Sequence, residues 1–129
     1  ENPPEGAKLT QMGYENYPYS LRNVLKRVSR ELSEKGMEKT IIVTENGIST
    51  SHDEERITFI EKALEGLQEA REDGVDVKGY FHWSLLDNFE WQKGFSMTFG
   101  LIGVDRSNME RHPKESLYYL GSFAPEDKV

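Results

Sequence analysis

The sequence predicts an α/β fold in which two parallel strands are joined through a helix. Three observations carry that prediction. Ile41-Ile42-Val43 is a short β-branched run that ends in Thr44-Glu45-Asn46-Gly47, the pattern of a buried strand stopping at turn chemistry. Val75 to Ser84 reads as a second strand, richest at Tyr80-Phe81-His82-Trp83. Between the two, Ile57, Ile60, Leu64 and Leu67 recur at helical spacing, and a helix of that length between strands makes a parallel crossover.

The remaining elements follow in chain order. Pro3, Pro4, Gly6, Gly13 and Pro18 mark residues 1–18 as loop. Leu21, Val24, Leu25, Val28 and Leu32 form one stripe of a first helix, which ends at Lys35-Gly36, a cation and then a glycine suited to the position after the C-cap. Residues 46–53 read as a polar loop, with Asp53 placed to cap the second helix and Asp73-Gly74 to end it. A long aromatic loop, 85–99, comes after the second strand. Phe99 to Val104 is a short strand-like run, and Arg111-His112-Pro113-Lys114 precedes a last helix containing Leu117, Tyr118 and Leu120. Two parallel strands leave both sheet edges unpaired and both faces in need of cover. The missing strands must therefore come from elsewhere, or the isolated piece is poorly stable.

Composition narrows the function. The 129 residues suit one ordinary domain, and 36% hydrophobic with 11% aromatic residues can build a core. A net charge of −7 argues against a nucleic-acid partner. No apolar run approaches the ~20 residues of a membrane-spanning helix. The lack of cysteine excludes a disulfide scaffold, a thiolate metal site and a cysteine nucleophile, but does not fix the compartment; a cytoplasmic location is the expectation. Interspersed charges, as in Arg30-Glu31-Leu32-Ser33-Glu34-Lys35, fit a thermophilic surface or simply a solvated helix face. The chain begins Glu1-Asn2-Pro3-Pro4 without a Met, so it reads as cut from something longer.

Two segments carry chemistry. Glu45 stands at the carboxyl end of the first strand, where α/β folds build their sites. The second strand runs into Trp83-Ser84-Leu85-Leu86-Asp87-Asn88-Phe89-Glu90-Trp91. Indoles and a phenyl ring among carboxylates and an amide suit a sugar, whose C–H faces pack on aromatic planes and whose hydroxyls need polar partners. Phe89 and Phe95 read equally well as core filler. Two carboxylates facing a glycosidic bond are the minimum apparatus for its hydrolysis, and spacing pairs Glu45 with Glu90 or Asp87. Nothing in the residues themselves decides which would donate a proton. His52-Asp53-Glu54-Glu55 reads as a solvated helix start rather than a metal site, His82 as structural, and His112 as a helix-start residue.

Thr44-Glu45-Asn46-Gly47, His82-Trp83-Ser84-Leu85, Asp87-Asn88-Phe89-Glu90-Trp91, Gly94-Phe95-Ser96-Met97 and Phe99-Gly100-Leu101 occur in an order and spacing that closely resembles the C-terminal part of glycoside hydrolase family one. These are the retaining β-glucosidases and β-galactosidases. Gly94-Phe95-Ser96-Met97 and Val77-Lys78-Gly79-Tyr80-Phe81-His82-Trp83 look most like the archaeal β-glycosidases among them. The match runs from about Met12 to Tyr119. The resemblance implies the end of a (β/α)8 TIM barrel, with the two strands as its seventh and eighth and residues 1–129 forming the C-terminal segment of one catalytic domain. It implies Glu45 as the nucleophile, Trp83 stacked under the sugar, Glu90 on the sugar's outer hydroxyls, Trp91 donating its indole N–H to a neighbouring hydroxyl, and Phe99 lining the pocket. Glu90 is then a binding residue and not the proton donor. Trp83-Ser84 matches a site where the family keeps a cis non-proline peptide. Tyr14 stands where the family usually has Trp.

The family's acid/base glutamate lies in a Thr-Phe/Leu-Asn-Glu-Pro motif that this sequence lacks, and Asn2-Pro3 and Glu15-Asn16 do not follow a strand. The implied partners are a β-glycoside substrate and the upstream part of the same barrel; no cofactor, metal, nucleic acid or membrane is expected, and homo-oligomerisation stays open. The 129 residues alone are expected to be inactive. The competing readings are a structural segment or nicked piece docked on the rest of the barrel, and a small sugar-binding module. Glu90 favours an unphosphorylated glycoside, because a carboxylate there repels a phosphate.

Overall fold

A computed structural model describes residues 2–124; the expected segment 1–129 extends past them at both ends. Helix α1 spans Ser20–Glu34, strand β1 Ile41–Asn46, helix α2 Asp53–Glu72 and strand β2 Val77–His82. A hairpin of β3, Ile102–Val104, and β4, Arg111–Pro113, leads into helix α3, Glu115–Gly121. Strands β1 and β2 pair in parallel and β3 and β4 antiparallel, as two separate two-stranded sheets.

The first four elements match the sequence expectation in type and order. Glu45 lies inside the last turn of pairing rather than just beyond it, because β1 continues to Asn46. Strand β2 is shorter than Val75–Ser84 at both ends. As expected, each helix is followed by a glycine two residues past its last residue, Gly36 after α1 and Gly74 after α2, and both end by the same device. Gly36 N–H donates to Ser33 and Met37 N–H to Leu32; Gly74 N–H donates to Arg71 and Val75 N–H to Ala70.

The core lies between the two helices and one face of the β1–β2 sheet. Leu21 and Leu25 of α1, Val43 of β1, Phe59, Ala63 and Ala70 of α2, and Val77 of β2 are buried together. The buried stripe of α2 is rotated from the expected one. It runs through Arg56, Phe59, Ile60, Ala63, Gly66 and Ala70, while Ile57, Leu64 and Leu67 are half-buried. Small residues let α1 approach, and a Cβ at Gly66 would meet Arg22 Cβ at 3.1 Å. The opposite sheet face is open, with Ile42 53% and Phe81 62% exposed.

Two further expectations need correction, and a third gains detail. Asp53 does not cap α2: His52 is the N-cap, without a side-chain bond. Asp53 instead accepts from Ser116 N–H at 2.9 Å and Ser116 Oγ at 2.8 Å, tying α2 to α3. Residues 47–52 form the expected loop, but it is not all at the surface: Ile48, Ser49 and Thr50 are buried. His112 lies in β4 paired with Gly103, not at a helix start.

Candidate active site

Glu45 owes its orientation to an irregularity in β1. Val43 pairs with Tyr80 and Asn46 with His82, so three steps along β1 run past two along β2. Strict alternation would turn Glu45 towards the helices with Ile41 and Val43. The extra residue breaks the alternation, as β-bulges beside sites do, and Glu45 emerges exposed. Asn46 then locks the strand end: its Oδ1 accepts from Tyr80 Oη at 3.0 Å and its carbonyl from Trp83 N–H at 2.9 Å. Burial holds the Tyr80 phenol above its ordinary pKa, so it remains a donor. Gly47 is required by close approach, because a Cβ there would lie 2.0 Å from the Trp83 carbonyl oxygen.

Glu45 opens into a cleft of about 430 Å³ whose wall includes Trp83, Glu90 and Phe99. Four of the five expected site residues thus converge. Trp91 does not line the cleft; it is 80% exposed on a single 3-10 turn, Trp91–Lys93, with a φ of 39°. The Trp83–Ser84 peptide is cis, as the resemblance implied. Asp87, the alternative partner for Glu45, is committed elsewhere: its carboxylate accepts from Gly100 N–H and from Lys114.

The sequence reading missed one wall of the cleft. Met12, Tyr14, Glu15 and Tyr17 line it, carried on a tight turn closed by a Leu9–Glu15 bridge. Gln11 docks that turn. Its N–H donates to Ser49 at 3.0 Å, and its Oε1 accepts Thr98 N–H at 3.0 Å and Thr98 Oγ1 at 2.8 Å. No local signal in residues 8–17 announces contacts that far along the chain.

Arg56 was missed as well. Its side chain is 1% exposed, and Nη2 donates to the carbonyls of Thr50 and Thr98 at 2.7 Å each while Nη1 pairs with Asp53. This cation joins the loop after β1 to the loop after β2. A signal was available: Arg56 falls three and four residues before Phe59 and Ile60, on the buried stripe itself. Desolvation would raise the Asp53 carboxyl, but the Ser116 and Arg56 donors outweigh it and hold it below the usual aspartate range. His82, beside this cluster, has neither ring nitrogen partnered. Burial pushes its imidazole down to about 4, and the Arg56 charge adds to the effect.

The cleft therefore offers three carboxylates, Glu15, Glu45 and Glu90, beside an indole and a phenyl ring. Among the described residues no cationic side chain lines it. That chemistry suits a neutral polyhydroxylated ligand with apolar faces and disfavours a phosphate.

The glycosyl hydrolase family 1 model matches residues 3–129. Beta-glucosidase 42 of Arabidopsis thaliana is 37% identical over 123 residues, covering 86% of this chain and 24% of that protein. The 6-phospho-beta-galactosidase of Streptococcus mutans serotype c is 39% identical over 116 residues, covering 84% and 24%. A solved family 1 β-glucosidase from Thermotoga maritima superposes with a TM-score of 0.83 at 33% identity, covering 93% of this chain and 29% of that one. The chain spans about a quarter of the length of the curated relatives it matches.

Proposed function

This chain belongs to glycosyl hydrolase family 1, and on that premise we propose that it supplies the nucleophile and part of the sugar subsite for retaining hydrolysis of β-glycosides. The solved relatives are (β/α)8 barrels of which the chain covers under a third. In this reading β1 and β2 are the seventh and eighth barrel strands, residues 1–129 are the C-terminal segment of the catalytic domain, and the upstream part of the same barrel supplies the rest. The observation that carries it is the shared cleft of Glu45, Trp83, Glu90 and Phe99 at the carboxyl ends of two parallel strands.

Glu45 attacks the anomeric carbon while a glutamic acid of the upstream part protonates the leaving oxygen. A glycosyl-enzyme forms. Water then releases the sugar, with the same upstream residue now acting as base. Trp83 packs under the pyranose ring, Glu90 accepts from its outer hydroxyls, Phe99 closes one side, and Trp91 donates from the loop beyond. The cation-free wall and the Glu90 carboxylate favour an unphosphorylated glycoside over the phosphorylated class named for the streptococcal relative.

Alone, the chain is inactive, because it lacks the proton donor and its sheet is open. The test is a mechanism-based 2-fluoroglycoside applied to the assembled barrel, followed by peptide mapping. The label is expected on Glu45 at one per chain. Label on Glu15, Glu90 or any other residue would refute the assignment.

A further inference from the structure

Glu90 and Phe99 reach the cleft from opposite ends of one loop, residues 88–99. The base of that loop is closed by backbone bonds, among them Asp87 N–H to the Ile102 carbonyl and Leu101 N–H to the Ser84 carbonyl at 2.9 Å each, and by one side-chain cluster beside them. Gly100 N–H donates to Asp87 Oδ1 at 2.7 Å. Lys114 Nζ spans both ends, donating to Asp87 Oδ1 at 3.2 Å, to Asp87 Oδ2 at 3.0 Å and to the Gly100 carbonyl at 2.7 Å. Only 21% of the Lys114 side chain and 16% of the Asp87 side chain is exposed. Burial holds the Lys114 pKa below its ordinary value, with Asp87 opposing the shift. The two backbones meet so closely that a Cβ at residue 100 would lie 2.2 Å from Asp87 N.

The pinning continues towards Glu90. Asn88 Nδ2 donates to Ser84 Oγ at 3.0 Å and to the Leu86 carbonyl at 3.2 Å. Arg106 donates to the Asp87 carbonyl and stacks 4.2 Å from the Phe95 ring centroid. Glu90 is therefore two residues past the last tied side chain, and its own N–H donates to Gly94 at 2.7 Å. Phe99 directly precedes Gly100. Glu45, by contrast, is held by the β1–β2 ladder, in which this cluster has no part.

We propose that Lys114 is a positioning residue for sugar specificity: by joining Asp87 to Gly100 it sets where Glu90 stands in the cleft. Lys114 itself does not line the cleft. A carboxylate that must meet two hydroxyls loses selectivity when its loop can shift by a fraction of an ångström, whereas attack at the anomeric carbon depends on Glu45. The inference rests on the role given to Glu90 under the proposed function.

The test compares aryl β-glucoside with aryl β-xyloside, which lacks the hydroxymethyl group that Glu90 would hold, using the assembled barrel. Lys114→Met is expected to lower kcat/KM for the glucoside by about tenfold, mainly through KM, and to leave the xyloside within about twofold. In a Glu90→Gln background the same substitution adds no further change to the ratio. Equal losses on both substrates would make Lys114 merely structural and overturn the proposal, as would an unchanged ratio. If Lys114→Met does not fold, Asp87→Asn with Lys114→Met leaves no unpaired buried charge, and the ratio must fall in the same way. A wild type that cleaves neither glycoside removes the proposed function and this inference together; an active wild type with an unchanged ratio in the variant removes this inference alone.

Discussion

The two faces of the β1–β2 sheet are cut from the same strands and end differently. One face packs Val43 and Val77 against Leu21, Leu25, Phe59 and Ala63. The other leaves Ile42 and Phe81 more than half exposed. Runs such as Ile41-Ile42-Val43 and Tyr80-Phe81 are apolar at consecutive positions, the pattern of strands covered on both sides. Half of that pattern meets its partner within the chain. The finished face holds the fold, while the other face lies open and the carboxyl ends of the strands border the cleft.

If that division is right, substitutions on the two faces must differ in what they damage. The largest effect belongs to Arg56. Arg56→Met leaves the Asp53 carboxylate partly buried without its cation and takes one of two donors from each of the Thr50 and Thr98 carbonyls, and is expected to destabilise the protein by about 3–5 kcal/mol. Chemical denaturation measures this, and a loss below about 1 kcal/mol would mean that the network is dispensable.

His82 gives the next effect. The unfolded ring takes up a proton near its ordinary 6.5, while the folded ring resists until about 4. The unfolded state therefore binds more protons in that window. Stability is full above pH ~6.5 and falls as the pH drops towards ~4, by about 3 kcal/mol in all. Melting curves across the window should show this slope in the wild type and a flatter one in His82→Gln.

The smallest effect is expected on the open face. Phe81→Ser should change the stability of the isolated chain by less than about 0.5 kcal/mol, whereas a buried phenylalanine such as Phe59 costs about 3–5 kcal/mol when truncated to Ala. In the assembled barrel the Phe81 substitution should become costly. Equal costs in both settings would erase the distinction between the faces.

Most of this was legible where the signal is local. The helices, their glycine ends, the two strands and their parallel pairing all follow from periodicity and turn chemistry within short windows. The place of Glu45 at the strand end beside the cleft was legible from the turn chemistry that follows Ile41-Ile42-Val43. The β3–β4 hairpin was not: Arg111-His112-Pro113 has no strand character, and only its pairing with Ile102–Val104 makes it extended. The cleft wall at Met12–Tyr17 was hidden for a related reason, since Gln11 finds its partners at Ser49 and Thr98. Arg56 was overlooked because a charged residue on a helix reads as solvated, although its place on the stripe was visible. The orientation of Glu45 was beyond reach, because a one-residue bulge leaves no mark on the hydrophobic pattern.

Arg56 also limits how this scaffold can be re-engineered. Its guanidinium holds the Thr50 and Thr98 carbonyls at once, so the two segments cannot be exchanged independently. A chimaera that grafts one of them from a relative with a different backbone path would strand a donor in the interior. The two must be transplanted as a matched set, and with them travels the geometry between the Glu45 carboxylate and the aromatic wall of the cleft.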